Sequence, residues 1–238
     1  MLFRSYVIDV PQAITYFASQ NVPLELVVSV DISGSMNDAM PVVRAAVKKF
    51  LSRLRQEDQV TVFGFNNTAF IIARPATDME ARLRAVDRLS AWGGTALYEA
   101  VIKATAQFSR QAGRRAIVVF TDGEDLNSRI PLETAERQLE SGDAVLYAIG
   151  QGRAPGMESL RNVLERLTRK SGGRAFFEDL GELDDAFDSI IAELGNQYLI
   201  GYAPKDQRED SRWRKIRVEV AGRDVKVRAR EGYRAAEK

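Results

Sequence analysis

Two hydrophobic periods divide the chain. Between residues 22 and 194, short apolar runs alternate with stretches in which apolar residues recur every three or four positions. Residues 24–30 form a near-continuous apolar run, as a strand buried on both faces requires. Over 37–54, the residues Met40, Val43, Val47, Phe50, Leu51 and Leu54 recur at helical spacing, with Arg44, Lys48, Arg53 and Arg55 between them. The spacing predicts further helices over 78–89, 96–110, 132–139, 157–170 and 183–194. Strands are predicted at 58–66, 69–74, 115–122, 143–150 and 174–178. The polar link at 66–68 is too short for a parallel crossover, so 58–66 and 69–74 are expected to pair as an antiparallel hairpin. Strands separated by helices in this way predict an α/β fold: a Rossmann-like, doubly wound, mostly parallel sheet with helices on both faces.

The two ends alternate with period two instead. Residues 6–19, 196–204 and 213–233 read as strands, with Ile216, Val218 and Val220 on one face and Lys215, Arg217 and Glu219 on the other. Val225, Val227 and Ala229 repeat the pattern after a turn at Gly222. The expected organisation is an α/β domain at 22–194 and one small antiparallel β annex built from 1–21 and 195–238. From Lys205 onward there are twelve basic and seven acidic residues, whereas the whole chain holds 34 and 33. A basic strand face of this kind is read as a solvated, edge-guarding surface rather than a nucleic-acid site.

Composition removes several chemistries. The chain of 238 residues has neither cysteine nor histidine. Disulfides, thiolate catalysis, Cys-ligated metal sites and any Ser-His-Asp triad are therefore excluded. A formal net charge of +1 points to neither nucleic acid nor membrane. No apolar stretch approaches the roughly eighteen residues of a membrane span, and no signal-peptide core opens the chain.

What remains is oxygen chemistry at strand ends. Ligands of open parallel sheets bind at the carboxyl ends of the strands, near the point where strand order reverses. Three polar segments occupy such positions: Asp31-Ile32-Ser33-Gly34-Ser35, Gly93-Gly94-Thr95 and Thr121-Asp122-Gly123. Asp31, Ser33, Ser35, Thr95 and Asp122 offer two carboxylates and three hydroxyls, a hard-oxygen set suited to Mg²⁺ or Mn²⁺, with Ca²⁺ as a further candidate. Taken singly, each has a plainer reading. Either serine, or Thr95, can be a helix N-cap, and Asp122-Gly123 is common turn chemistry. Asp125 reads as a surface acid in an acidic turn. Asp31 is harder to dismiss, because an unpaired carboxylate at the end of a buried strand is costly.

The segments "DISGSM", "GGTALYEA" and "VVFTDGED" resemble the three metal-site loops of von Willebrand factor type A domains, over residues 22–194. The resemblance implies a metal-ion-dependent adhesion site. In it the hydroxyls of Ser33, Ser35 and Thr95 ligate the ion, Asp31 and Asp122 bind directly or through water, and one open position receives an Asp or Glu of a partner protein. It thus implies a non-enzymatic interaction module; with the charge and hydropathy above, the expected partner is a protein, not nucleic acid or a membrane, and the oligomeric state is left open. The flanks "VPQAITYF" and "YLIGYAP" to "REGY" are similar to a bacterial branch of the family whose members are often exported. The enzyme alternative is a haloacid-dehalogenase-type phosphatase with Asp31 as nucleophile and Thr121 as a second motif residue. It lacks the expected general acid, because position 33 is Ser.

Overall fold

The computed structural model describes residues 2–18, 22–109, 113–151, 157–206, 208, 210, 212–221 and 227–235. In chain order the elements are β1 (Leu2–Val7), β2 (Val10–Gln12), β3 (Ile14–Ala18), β4 (Leu24–Asp31), α1 (Met40–Ser52), β5 (Gln59–Phe65), β6 (Ala69–Ala73), α2 (Met79–Asp87) and α3 (Leu97–Thr105). There follow β7 (Arg114–Thr121), α4 (Leu132–Ser141), β8 (Val145–Gly150), α5 (Met157–Ser171), β9 (Arg174–Phe177), α6 (Leu183–Gly195), β10 (Leu199–Tyr202), β11 (Trp213–Ala221) and β12 (Gly232–Arg234).

The central sheet has six strands in the order β6-β5-β4-β7-β8-β9. All neighbours are parallel except β5 and β6, which form the expected antiparallel hairpin. The chain winds from β4 outward through β5 and β6, then returns to the other side of β4 as β7. Strand order therefore reverses between β4 and β7, and the loops leaving these two strands face the crevice where α/β sheets bind ligands.

Alternation along β4 sends Leu24, Leu26, Val28 and Val30 to one layer, with α1, α2 and α6, and Val27 to the other, with α3, α4 and α5. Each fully buried Leu, Val or Phe contributes about 2 kcal/mol. The Phe50 and Phe187 rings, 4.7 Å apart, seat α1 on α6.

Helix boundaries follow local chemistry. The first helix starts at Met40 rather than 37, because Pro41 fits only the first turn; residues 34–37 form a separate tight turn. The α2 helix starts where the Asp78 carboxylate accepts from Ala81 N at 2.8 Å. The predicted 96–110 helix stops at Thr105, and its last residue lies outside the described residues. Beyond the stop, Ser109 is drawn off to the Glu25 carboxylate on β4, through its amide at 2.7 Å and its hydroxyl at 2.6 Å.

The terminal strands form the expected antiparallel annex, divided between two sheets. One has the order β12-β11-β1-β2 and the other pairs β10 with β3. The Phe3, Phe17 and Tyr198 rings join them at 5.1–5.5 Å. The turn expected at Gly222, and Val225, lie outside the described residues. Val227 and Ala229 are not in a strand, and β11 instead pairs at Trp213–Lys215 with β12. The 227–230 segment runs against the α/β unit: a Cβ on Gly172 would lie 2.4 Å from Arg230 N, and Gly172 holds a φ of +80° that favours glycine.

Lys215 and Arg217 on the basic face of β11 are exposed as expected, but other basic residues of the tail are engaged with the rest of the chain. Arg228 pairs with Glu193 at 2.5 Å, Arg234 with buried Glu140 at 3.3 Å, and Arg230 donates to Gly142 O at 2.8 Å. Arg214 is 2% exposed between Asp206 and Asp210. These contacts gather where α4, α5 and α6 end, at the amino ends of the parallel strands and away from the β4 and β7 exits.

Ile8 and Asp9, which connect β1 to β2, have φ of 47° and 59°. Two positive values in a two-residue hairpin loop make a type I′ turn, which favours Asn-Gly and penalises a β-branched residue. Replacing Ile8 with Asn is expected to raise stability by about 1 kcal/mol. In thermal unfolding that is a rise of about 2–4 °C; an unchanged or lower midpoint refutes the turn assignment.

Candidate metal centre

The β4 strand ends on Asp31, which is 0% exposed. Its Oδ1 accepts from Ser33 N at 2.8 Å and its Oδ2 from the Thr121 hydroxyl, at the end of β7, at 2.6 Å. Burial is the larger influence: it raises Asp31 from 3.8 to about 6, against the downward pull of the Thr121 and Ser33 hydrogen bonds. Negative charge on Asp122 adds to the rise. Asp122 is itself raised by burial, opposed by the Ser35 hydrogen bond. Two carboxylates that are both costly to ionise, side by side, form a place where a cation lowers the energy of the charged pair.

The hydroxyls converge on this pair. Ser33 occupies an N-cap position, yet its side chain caps nothing. Its Oγ lies 3.1 Å from Ser35 Oγ, and Ser35 Oγ donates to Asp122 Oδ1 at 2.9 Å. Oxygens about 2.1 Å from an octahedral Mg²⁺ are separated by about 3 Å along each edge, so the spacing fits that ion. Thr95 is 4% exposed and likewise caps no helix. A Cβ on Gly123 would stand 3.4 Å from Thr95 Oγ1 and 4.0 Å from Ser35 Oγ, so both hydroxyls face the same glycine. All five residues singled out by their spacing thus belong to one cluster. Among the described residues, no group of three or more His, Cys, Asp or Glu side chains forms a rival centre.

Neighbouring residues fix the loops. Gly34 N donates to Gly93 O at 2.9 Å, joining the first loop to the second. The β5–β6 turn supports the second loop from below. Asn67 Oδ1 accepts from Gly94 N at 2.7 Å, and buried Asn66 donates to Trp92 O at 3.2 Å and accepts Ala96 N on its carbonyl at 2.7 Å. The third loop caps α3 across space: Asp125 Oδ2 accepts from Tyr98 N at 2.7 Å, Ser128 Oγ from Glu99 N at 3.1 Å, and Asn127 Oδ1 from Thr95 N at 2.9 Å. Asp125 is therefore a half-buried cap rather than a surface acid. Asn66, Asn67, Asn127 and Ser128 were not distinguishable in the sequence from ordinary turn residues. Their one signal is that α3 carries no capping side chain of its own.

Residues 26–124 match the family model of the von Willebrand factor type A domain. Over that stretch the chain is similar to this family, and solved type A structures share its fold. Solved structures with this fold include a von Willebrand factor type A protein from Catenulispora acidiphila, 21% identical with a TM-score of 0.64, covering 81% of this chain and 46% of that one. Proximal thread matrix protein 1 of the mussel byssus, with a zinc-occupied MIDAS motif, is 16% identical with a TM-score of 0.65, covering 79% and 49%. The von Willebrand factor domain of a type V pili tip protein from Porphyromonas gingivalis is 12% identical with a TM-score of 0.62, covering 74% and 97%. The chain thus spans about half the length of the first two structures, and at these identities the likeness is one of fold. No curated protein matches the chain.

Asp31 gives the fold a pH signature in the absence of metal. A carboxylate raised on folding stabilises the fold below its unfolded value, and that stabilisation is lost as pH rises through the folded value. Asp31 is therefore expected to withdraw up to about 3 kcal/mol between pH 3.8 and about 6. Asparagine can keep both hydrogen-bond partners once the Thr121 hydroxyl turns to accept. In EDTA, Asp31→Asn should match wild type near pH 4 and exceed it in denaturant midpoint at pH 7; parallel pH profiles contradict the assignment.

Proposed function

We propose that Asp31, Ser33, Ser35, Thr95 and Asp122 hold Mg²⁺, and that this centre receives an Asp or Glu side chain of another protein. The observation that carries this reading is the Ser33–Ser35–Asp122 oxygen chain, at 3.1 and 2.9 Å, above a fully buried Asp31. The bound ion supplies a positive charge with an exchangeable coordination position. This chain's residues do the rest. Three of the five donors are neutral hydroxyls, so the set adds no negative charge beyond Asp31 and Asp122, and the Gly34–Gly93 and Asn127–Thr95 bonds hold the donors in place. Mn²⁺ and Ca²⁺ are the alternative ions.

The role is binding rather than catalysis. A phosphatase with Asp31 as nucleophile would need a general acid two residues later, where this chain has Ser33, and it leaves the Thr95 hydroxyl beside Gly123 without a role. Nucleic acid is an unfavourable partner, because Arg214, Arg228 and Arg234 are engaged with internal acids. The unit that binds is taken as 22–194, with 1–21 and 195–238 as its accessory annex. Export to the periplasm or cell exterior belongs to the same proposal. It is supported by the pili tip protein and by a likeness to an aerotolerance-related membrane protein from Bacteroides fragilis, 20% identical with a TM-score of 0.59. Among the described residues no helix is long and apolar enough to cross a membrane.

Thermal unfolding in EDTA and in Mg²⁺, Mn²⁺ or Ca²⁺ tests the centre. At about a hundred times the dissociation constant, an ion adds about 2.7 kcal/mol, or about 5–10 °C for a chain of this size. Wild type is expected to show this rise, and Ser33→Ala and Asp122→Ala to lose it. A rise of equal size in Asp122→Ala, or none in wild type with any of the three ions, overturns the assignment.

A further inference from the structure

The two most exposed large apolar side chains among the described residues are Leu126, at 79%, and Trp92, at 57%. A scattered exposed leucine is normal on a protein surface. Here both residues lie on loops of the candidate centre, Trp92 three positions before Thr95 and Leu126 four positions after Asp122. Neither backbone is loose. Trp92 donates its amide to Ile32 O at 2.8 Å and accepts Asn66 Nδ2 on its carbonyl at 3.2 Å; Leu126 donates to Thr95 O at 3.0 Å. Trp92 therefore stands where the first and second loops join, and Leu126 where the second and third join.

We infer that the partner segment bearing the acidic residue carries large apolar side chains on both sides of it, which Trp92 and Leu126 cover. This rests on the metal-dependent reading above and specifies what the centre selects. Apolar side chains on pinned backbone bind without a large ordering cost, and tryptophan is prominent among residues that dominate interfaces. Charge argues in the same direction. Asp38 and Glu124 lie within three positions of Ser35 and Asp122, so one carboxylate gains from the ion while further carboxylates beside it meet like charge. The fitting segment has one acid between apolar neighbours, not an acidic run.

Fluorescein-labelled synthetic peptides of eleven residues, identical but for a central Leu-Glu-Leu, Ala-Glu-Ala, Glu-Glu-Glu or Leu-Gln-Leu, test this by anisotropy in Mg²⁺ and in EDTA. In Mg²⁺, Leu-Glu-Leu is expected to bind at least about tenfold more tightly than Ala-Glu-Ala or Glu-Glu-Glu. The double variant Trp92→Ser, Leu126→Ser should reduce that ratio below about threefold while keeping the Mg²⁺ rise in unfolding temperature. Equal affinity of the Leu and Ala peptides, a preference unchanged in the double variant, or no peptide binding in a protein that Mg²⁺ still stabilises each overturns the inference alone. Absence of any Mg²⁺ stabilisation, or binding that persists in EDTA, overturns the metal-dependent reading beneath it. Mg²⁺-dependent self-association lost in the double variant, seen by sedimentation, makes a second copy the occupant and also overturns it.

Discussion

The structure around the β4 exit is organised by one carboxylate shut away from the solvent surface. Asp31 is fully buried at the end of the central strand, and an ionised group there is tolerated only if its oxygens are satisfied and its charge is answered. Hydrogen bonds from Ser33 N and Thr121 Oγ1 meet the first requirement. Among the described residues the charge that acts on it is that of Asp122, which is also negative, so the second is left unmet there. The backbone reversal after Asp31 and the pairing of β4 with β7 therefore maintain an electrostatic deficit, and a divalent cation is the simplest group that removes it. That deficit sits at the reversal point of strand order, where three loops from separate parts of the chain meet.

Holding such a deficit open requires loops that do not collapse onto it. The second loop is fastened on three sides: by Gly34 from the first loop, by Asn66 and Asn67 from the β5–β6 turn, and by Asn127 from the third. Exchanging the α3 caps into the third loop has a particular consequence. Thr95 is relieved of capping duty, so its hydroxyl remains available beside Gly123. Capping would orient the Thr95 oxygen toward the helix amides, and the caps supplied by the third loop leave it free to face Gly123.

The alternation of β4, β5, β7 and β8 with amphipathic helices made the sheet order class and both core layers readable in the sequence, and the five oxygen donors stood out by position. The misreadings have physical causes. Ile8-Asp9 forms a type I′ turn without the Asn-Gly signature, so the β1–β2 hairpin is invisible to pattern alone. Period-two alternation says that residues 6–19 are extended, but not that they divide between two sheets. Asp125 looked like surface acid because its partners, the amides of Tyr98 and Ser128, include one that is distant in sequence. Side chains that satisfy remote backbone groups carry no local periodicity.

The same distinction separates the two ends of the parallel strands. At their amino ends, Arg114 is anchored to the Val22 and Leu194 carbonyls, and Arg228, Arg230 and Arg234 reach from the annex to Glu193, Gly142 and Glu140. Charges there are answered within the chain, and partly buried guanidinium–carboxylate pairs of this kind favour one docking geometry. At the carboxyl ends the carboxylates are left unanswered, and large apolar groups stay in water. The fold thus neutralises its charges at one pole and leaves buried carboxylates without a cation among the described residues at the other, which is why the proposed binding is placed at the second. Among the described residues no hydrogen bond links the annex to the oxygen cluster, so the packing that seats the annex and the geometry that spaces the donors are held by separate sets of contacts.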